Sequence, residues 1–205
     1  MTNFSFRYAS NPSDVKKYDT NDLREHFLIE NLFVANEIQL TYSMYDRFIV
    51  GGIMPVGKEL KLETIPYLKS EHFLDRRELG IINVGGSGTV SVDGVAYNLN
   101  KKEALYVGQG AKEVFFSSSN GEQALFYINS APAHHKFPTK KVGKDEAEVI
   151  QLGEEKTANK RVLNKLIVNE SKMNWAGLKF VKNNSSGYSK IQKSDMELWV
   201  NYDVY

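Results

Sequence analysis

From Glu37 onward the apolar positions of the chain recur at every second residue, in short runs separated by glycine and polar turns. Glu37-Ile38-Gln39-Leu40-Thr41-Tyr42 alternates, and Arg47-Phe48-Ile49-Val50 is a β-branched run with Gly51-Gly52 behind it. Leu79 to Val84 predicts a strand, Gly85-Gly86-Ser87-Gly88 a turn and Thr89 to Val92 a second strand. Asp93-Gly94 is a two-residue hairpin signal, because both positions tolerate positive φ, and Val95 to Leu99 is its return strand. Glu103 to Val107, Glu113 to Phe116 and Gln123 to Ile128 complete the series. Upstream, residues 1 to 20 are polar and predict an arm with little structure. Thr20-Asn21-Asp22 offers N-cap oxygens for one short helix through Leu28.

Many short strands without intervening helices predict an all-β sandwich or barrel rather than a parallel α/β sheet. The order of strand, glycine turn, Val-Asp-Gly hairpin, Glu-Ala-Leu-Tyr-Val and Gly-x-Gly resembles the jelly-roll β-barrel core of cupins. Ala131 to Pro138 leaves that barrel, residues 139 to 161 are charged and partly helical at best, and short apolar runs return beyond Arg161. Asp75 to Asn83 also lines up with Ser194 to Tyr202, each a polar run, a Glu-Leu pair and an apolar strand. The expected organisation is an arm and short helix over residues 1–36 and a complete cupin barrel over 37–138. A linker and the start of a second repeat follow over 139–170, then a truncated, divergent second cupin segment over 171–205.

Composition narrows the partners. Twenty-six Lys and Arg balance twenty-five Asp and Glu, which supplies no net field for nucleic acid or an anionic membrane. There is no cysteine, so disulfides, thiolate metal sites and cysteine nucleophiles drop out together. No secretory signal or run of about 20 apolar residues is visible, and the expected location is cytoplasmic. The sequons at Asn169 and Asn184 then read as chance matches.

Gly85 to Gly88 is no phosphate loop, since a strand and not a helix N-terminus follows it. The four histidines, His26, His72, His134 and His135, form no His-x-His. Adjacent His134 and His135 point to opposite sides of an extended segment, and His72 alone lies near the barrel mouth. Arg76-Arg77-Glu78 is either a solvated charge run or a pair, Arg77 and Glu78, that enters the barrel, where an arginine fork would hold a carboxylate. Lys140 and Lys141 carry the same two readings.

Several longer strings resemble the 5-keto-4-deoxyuronate isomerases, the 4-deoxy-L-threo-5-hexosulose-uronate ketol-isomerases. These are Asp46 to Pro55, Phe73 to Gly80, Ala104 to Gly108 with Lys112-Glu113-Val114, and Ala131-Pro132-Ala133-His134 with Pro138 to Val142. Asn159-Lys160-Arg161 with Asn164-Lys165 belongs to the same set, and the resemblance runs from about Asp19 to Asn169. It implies a two-cupin subunit, a homohexamer and a ketol isomerisation of a sugar acid from pectin breakdown. It also implies zinc, held in the second cupin by His-x-His, a following Glu and a later His.

Within that resemblance Arg77, Glu78, His134 and Lys140 are the candidate substrate-binding residues. Aligning Met196-Glu197 on the family pattern puts Lys190 and Gln192 at the two histidine positions and leaves Glu197 as the one candidate metal ligand, with the fourth position beyond Tyr205. The expectation is therefore that this chain does not bind zinc. The resemblance implies a ketol isomerase; the alternative is an inactive cupin homologue that binds a sugar acid or serves a structural role.

Overall fold

A computed structural model of the chain describes residues 2–119, 121–157 and 159–167, and beyond these the backbone of three strands, Leu178–Asn183, Ser189–Lys193 and Met196–Val200. One sheet has seven strands in the order β1-β2-β3-β10-β5-β8-β11: Thr2–Arg7, Ile38–Ser43, Phe48–Ile53, Phe126–Pro132, Arg77–Asn83, Ala104–Val107 and Lys140–Val142. Facing it are four strands in the order β4-β9-β6-β7: Leu60–Lys61, Val114–Ser118, Gly88–Val92 and Val95–Leu99. A third sheet, β12 to β16, is an antiparallel meander of Glu148–Leu152, Arg161–Ile167 and the three later strands. The fold is the expected all-β cupin jelly roll, with a difference at the barrel. Among the described residues its strands form two facing sheets, and no ring of hydrogen-bonded strands closes.

The core between the two sheets follows from the period-two pattern. Leu40, Ile49, Leu79, Ile81, Leu105 and Ile128 project from the large sheet onto Val90, Leu99, Val114 and Phe116 of the small one. Phe116 meets Phe126 across the gap with ring centroids 5.3 Å apart. The β6–β7 hairpin turns on Asp93 and Gly94, both at positive φ, which aspartate tolerates and glycine, lacking a Cβ, adopts freely. Asn83 explains the neighbouring glycine turn. Its buried amide donates to the carbonyls of Gly86 (2.7 Å) and Leu99 (2.8 Å), and its oxygen accepts from the Gly85 N–H (3.1 Å).

Both faces of the large sheet are covered, and this is why β5 is buried at all seven positions. On the outer face Phe48, Val50, Ile82, Ala104, Tyr106 and Tyr127 form a second apolar cluster with Leu166 and Ile167 of β13. Gly51 and Gly52, read from sequence as the end of a strand, lie inside β3 instead. A Cβ on Gly51 would strike Leu40 and the Gln39 carbonyl, and one on Gly52 would strike Leu32, so the two glycines let layers close on either side.

The N-terminal residues depart from the expected unstructured arm. Thr2–Arg7 pairs in parallel with β2, with Ser5 against Thr41 (hydroxyls 3.0 Å apart) and Phe6 stacked on Tyr42 at 5.3 Å. The crossover carries two short helices, α1 (Pro12–Val15) and α2 (Thr20–Phe27). The N-cap of α2 is Asp19, one residue before the predicted stretch, in a capping box with Asp22. Residues 139 to 161, expected to be partly helical, instead form β11, β12 and single 3₁₀ turns, because β11 finds an open edge on β8. No helix among the described residues is long and apolar enough to cross a membrane.

Gly108, just after β8, has the Phe137 backbone packed where a side chain would begin. Gly108→Ala is expected to lower stability by ~1–3 kcal/mol, read as a drop in the urea midpoint at unchanged m-value.

Candidate functional site

Arg77 and Glu78 are neighbours at the start of β5, so strand alternation sends them to opposite faces of the large sheet. Arg77 shares the inner face with Leu79 and Ile81 and is 5% exposed. Its Nε donates to Ser130 Oγ (3.0 Å), and its Nη2 donates to the carbonyls of Ser130 (2.8 Å) and Arg47 (2.7 Å). The guanidinium also lies 5.9 Å from the centroid of the Tyr42 ring. Burial lowers its pKa to about 10, so it remains a cation at neutral pH. The Nε–Nη2 edge, which would take a carboxylate in a bidentate grip, is occupied by Ser130. In this geometry Arg77 is a strap joining β5, β10 and the β2–β3 turn.

Glu78 faces the other way and is fully buried, the one buried carboxylate among the described residues. The Tyr106 hydroxyl, 2% exposed, donates to Glu78 Oε2 at 2.7 Å. Burial, and then the hydrogen bond and charge of Glu78, raise the Tyr106 pKa far above the ordinary phenol value, so it stays a proton donor. Lys140, exposed on β11, pairs in register with Tyr106 and therefore stands on the same face. His134 is exposed two residues beyond the end of β10, on a backbone held by the Ala133 N–H bond to the Arg76 carbonyl (3.0 Å). The structure thus places Glu78 and Lys140 on one face, leaves His134 at its margin and puts Arg77 on the opposite face.

Three residues that sequence reasoning did not single out complete the outer face: Tyr106, Tyr127 and Asn129. Tyr127 is fully buried and Asn129 is 2% exposed, two positions apart on the same side of β10. Burial raises the Tyr127 pKa well beyond the ordinary phenol range, an effect the nearby Asn129 amide partly offsets. Even so, neither Tyr127 OH nor Asn129 Oδ1 makes a hydrogen bond of normal geometry. The available signal was period: in Ala104 to Val107 and Phe126 to Ala131, alternation puts these polar groups opposite the core-facing residues.

His72, the histidine near the mouth, is held to Asp75, ring Nδ1 to Oδ1 at 3.4 Å. No cluster of three metal-ligating side chains occurs among the described residues. Glu197 lies on β16 opposite Gln192 of β15, but its side chain falls outside the described residues.

A cupin jelly roll carrying a buried carboxylate–phenol pair and a lysine on one sheet face defines the class of fold, a cupin. Within it, the chain belongs to the KduI/IolB family, whose model matches residues 28–182. It is 56% identical over 168 residues to the 4-deoxy-L-threo-5-hexosulose-uronate ketol-isomerase of Formosa agariphila, covering 82% of this chain and 60% of that one. A protein of the same name from Bacteroides fragilis is 48% identical over 170 residues, covering 82% and 61%. This chain therefore spans about three fifths of the length of these curated relatives. Among solved structures, an IolB-like protein from Salmonella typhimurium superposes with a TM-score of 0.51 at 15% identity, covering 65% of this chain and 49% of that one, a likeness of fold.

Replacing Arg77 removes three hydrogen bonds, two of them to the buried Ser130. Arg77→Met is expected to cost ~2–4 kcal/mol in chemical unfolding. Arg77→Lys should restore little of it, because one ammonium cannot span Ser130 and Arg47 together.

Proposed function

We propose that the protein is a ketol isomerase that interconverts a 5-keto-4-deoxyuronate and its 2,5-diketo isomer in the breakdown of pectin-type uronates. The observation that carries this reading is the 56% identity, over four fifths of the chain, to a relative bearing that name. The same proposal includes a cytoplasmic location, a small sugar-acid substrate and homo-oligomeric, hexameric assembly, as the resemblance implies.

Ketol isomerisation takes a proton from the carbon bearing a hydroxyl and returns one to the neighbouring carbonyl carbon, passing through an enediol. A carboxylate within reach of the carbon proton serves as base, and a neutral phenol that donates to its other oxygen fixes its orientation. Glu78 and Tyr106 form such a pair 2.7 Å apart, screened from bulk water. Lys140, on the same face and exposed, supplies a positive charge for the substrate carboxylate, and His134 stands at the same margin.

Zinc, expected from the resemblance, does not fit the donor set that this chain offers. At the aligned positions Lys190 is a cation and Gln192 a neutral amide, and Glu197 alone is an anionic oxygen ligand. No step is therefore assigned to a metal, and the proton-handling pair belongs to the first cupin.

An assay of the purified protein with the unsaturated-uronate breakdown product, run beside metal analysis by mass spectrometry, tests this. Turnover without stoichiometric zinc supports it, whereas a folded protein without turnover leaves the inactive, sugar-acid-binding homologue. Glu78→Gln is expected to lower kcat about 10²–10³-fold with little change in KM, because the base is lost and the shape is kept.

A further inference from the structure

The large sheet ends on one side in β11 and on the other in β1. β11 carries Lys140 and Lys141, charges of the kind that keep an edge strand from pairing further. β1, Thr-Asn-Phe-Ser-Phe-Arg, has no charge before Arg7 and no proline. Its ladder to β2 is parallel, so successive residues turn their backbone groups to alternate sides. The Arg7 carbonyl accepts from the Met44 N–H at 2.9 Å, which directs the backbone groups of Asn3, Ser5 and Arg7 toward β2. The N–H and C=O groups of Phe4 and Phe6 therefore face the open edge.

An aromatic patch lies along the same edge. Phe4 is 41% exposed, Tyr67 of the 3₁₀ turn Pro66–Leu68 is 52% exposed and Tyr8 is 72% exposed. The rings form one connected group: those of Phe4 and Phe6 lie 6.0 and 4.5 Å from Tyr67, and that of Phe6 lies 4.7 Å from Tyr8. Exposed aromatic rings beside an unpaired strand edge have the composition of a protein interface.

Charge identifies the occupant. Arg7 puts a cation at one end of β1, and at the other end the Asn3 amide, together with that of Gln39, donates to the Glu37 carboxylate (2.7 and 2.6 Å). A second β1 running antiparallel sets each Arg7 opposite the other copy's Asn3, beside Glu37. Centred on Ser5, this pairing uses the whole strand and keeps the faces matched. It also puts Phe4 opposite the other copy's Phe6, where both can exchange backbone hydrogen bonds.

We propose that β1 is a two-fold interface between two copies of this chain, paired antiparallel about Ser5. The pairing joins the two large sheets into one, and the aromatic patches meet across the axis. It stands apart from the isomerase reading; in a hexamer with three-fold and two-fold axes it is the two-fold contact.

The chain has no cysteine, which makes Ser5→Cys a direct probe on the exposed edge. Ser5 meets its own copy as a non-hydrogen-bonded pair, with Cα atoms about 4.5 Å apart and within disulfide reach. Under mild oxidation Ser5→Cys should give a covalent dimer, and Lys101→Cys, on an exposed turn, should not. Sedimentation velocity of the parent should show a dimer or a multiple of one. Ser5→Lys and Ser5→Glu each place like charges on the axis and should weaken assembly by about tenfold or more, taking a hexamer to trimers, and an equal mixture of the two should restore it. A parent that is monomeric at high micromolar concentration overturns the proposal, as does an assembly whose mass is unchanged in Ser5→Lys. So does a failure to recover on mixing, or cross-linking of Lys101→Cys as readily as Ser5→Cys. Circular dichroism and Tm report whether each variant folds; should the charged variants not fold, the Ser5→Cys cross-link alone decides. Turnover by a monomer removes the interface and keeps the isomerase reading, and a β1-paired dimer without turnover does the reverse.

Discussion

The central strand β5 is packed on both sides, and every element around it has to answer to that. A strand buried on one face can turn its polar residues to water. A strand between two cores cannot, and each polar group it carries must find a partner inside the protein. Arg77 finds its partners inward, in Ser130 and the Arg47 carbonyl, and Glu78 finds Tyr106 outward. Asn83, at the other end, is satisfied by the glycine turn that it holds in place. The inner partners act as fasteners between strands. The outer ones gather into a polar group within an apolar layer, where a low dielectric strengthens each hydrogen bond and makes each missing one costly.

The consequence is a division of labour between adjacent residues. Arg77 looks in isolation like a ligand-binding arginine, yet its hydrogen-bonding edge is committed to the backbone and to a serine. Glu78 looks like the acidic end of a charge run, yet it is the most thoroughly enclosed carboxylate described. The chemistry proposed for this chain therefore lies on the face between the first jelly roll and the strand β13 that covers it.

Legibility from sequence varied with how local the cause was. The hairpin at Asp93-Gly94 and most strands were readable, because turn residues and period-two alternation act over a few residues. The strand at Thr2–Arg7 was not, since its polar alternation pays off only against β2, more than thirty residues away. Gly51 and Gly52 read as an ending because glycine weakens a strand, and only the crowding by Leu40 and Leu32 shows why they lie within one. Among the residues of the proposed outer face, Glu78 and Lys140 stand out in the sequence through motifs, while Tyr106, Tyr127 and Asn129 read as ordinary strand residues.

What the amino-acid sequence determined by itself was the class of fold, the family and the pool of candidate residues, together with the poor donor set for zinc at Lys190, Gln192 and Glu197. These depend on residue identity, local turn chemistry and the spacing of apolar positions, all of which can be read along a line. Only the tertiary structure decided which face each candidate takes, that Arg77 and Glu78 part company, and that Asn129, Gly80 and Tyr106 stand in one row. Register between strands distant in the chain is set by how two cores close around β5, and no local stretch carries that information.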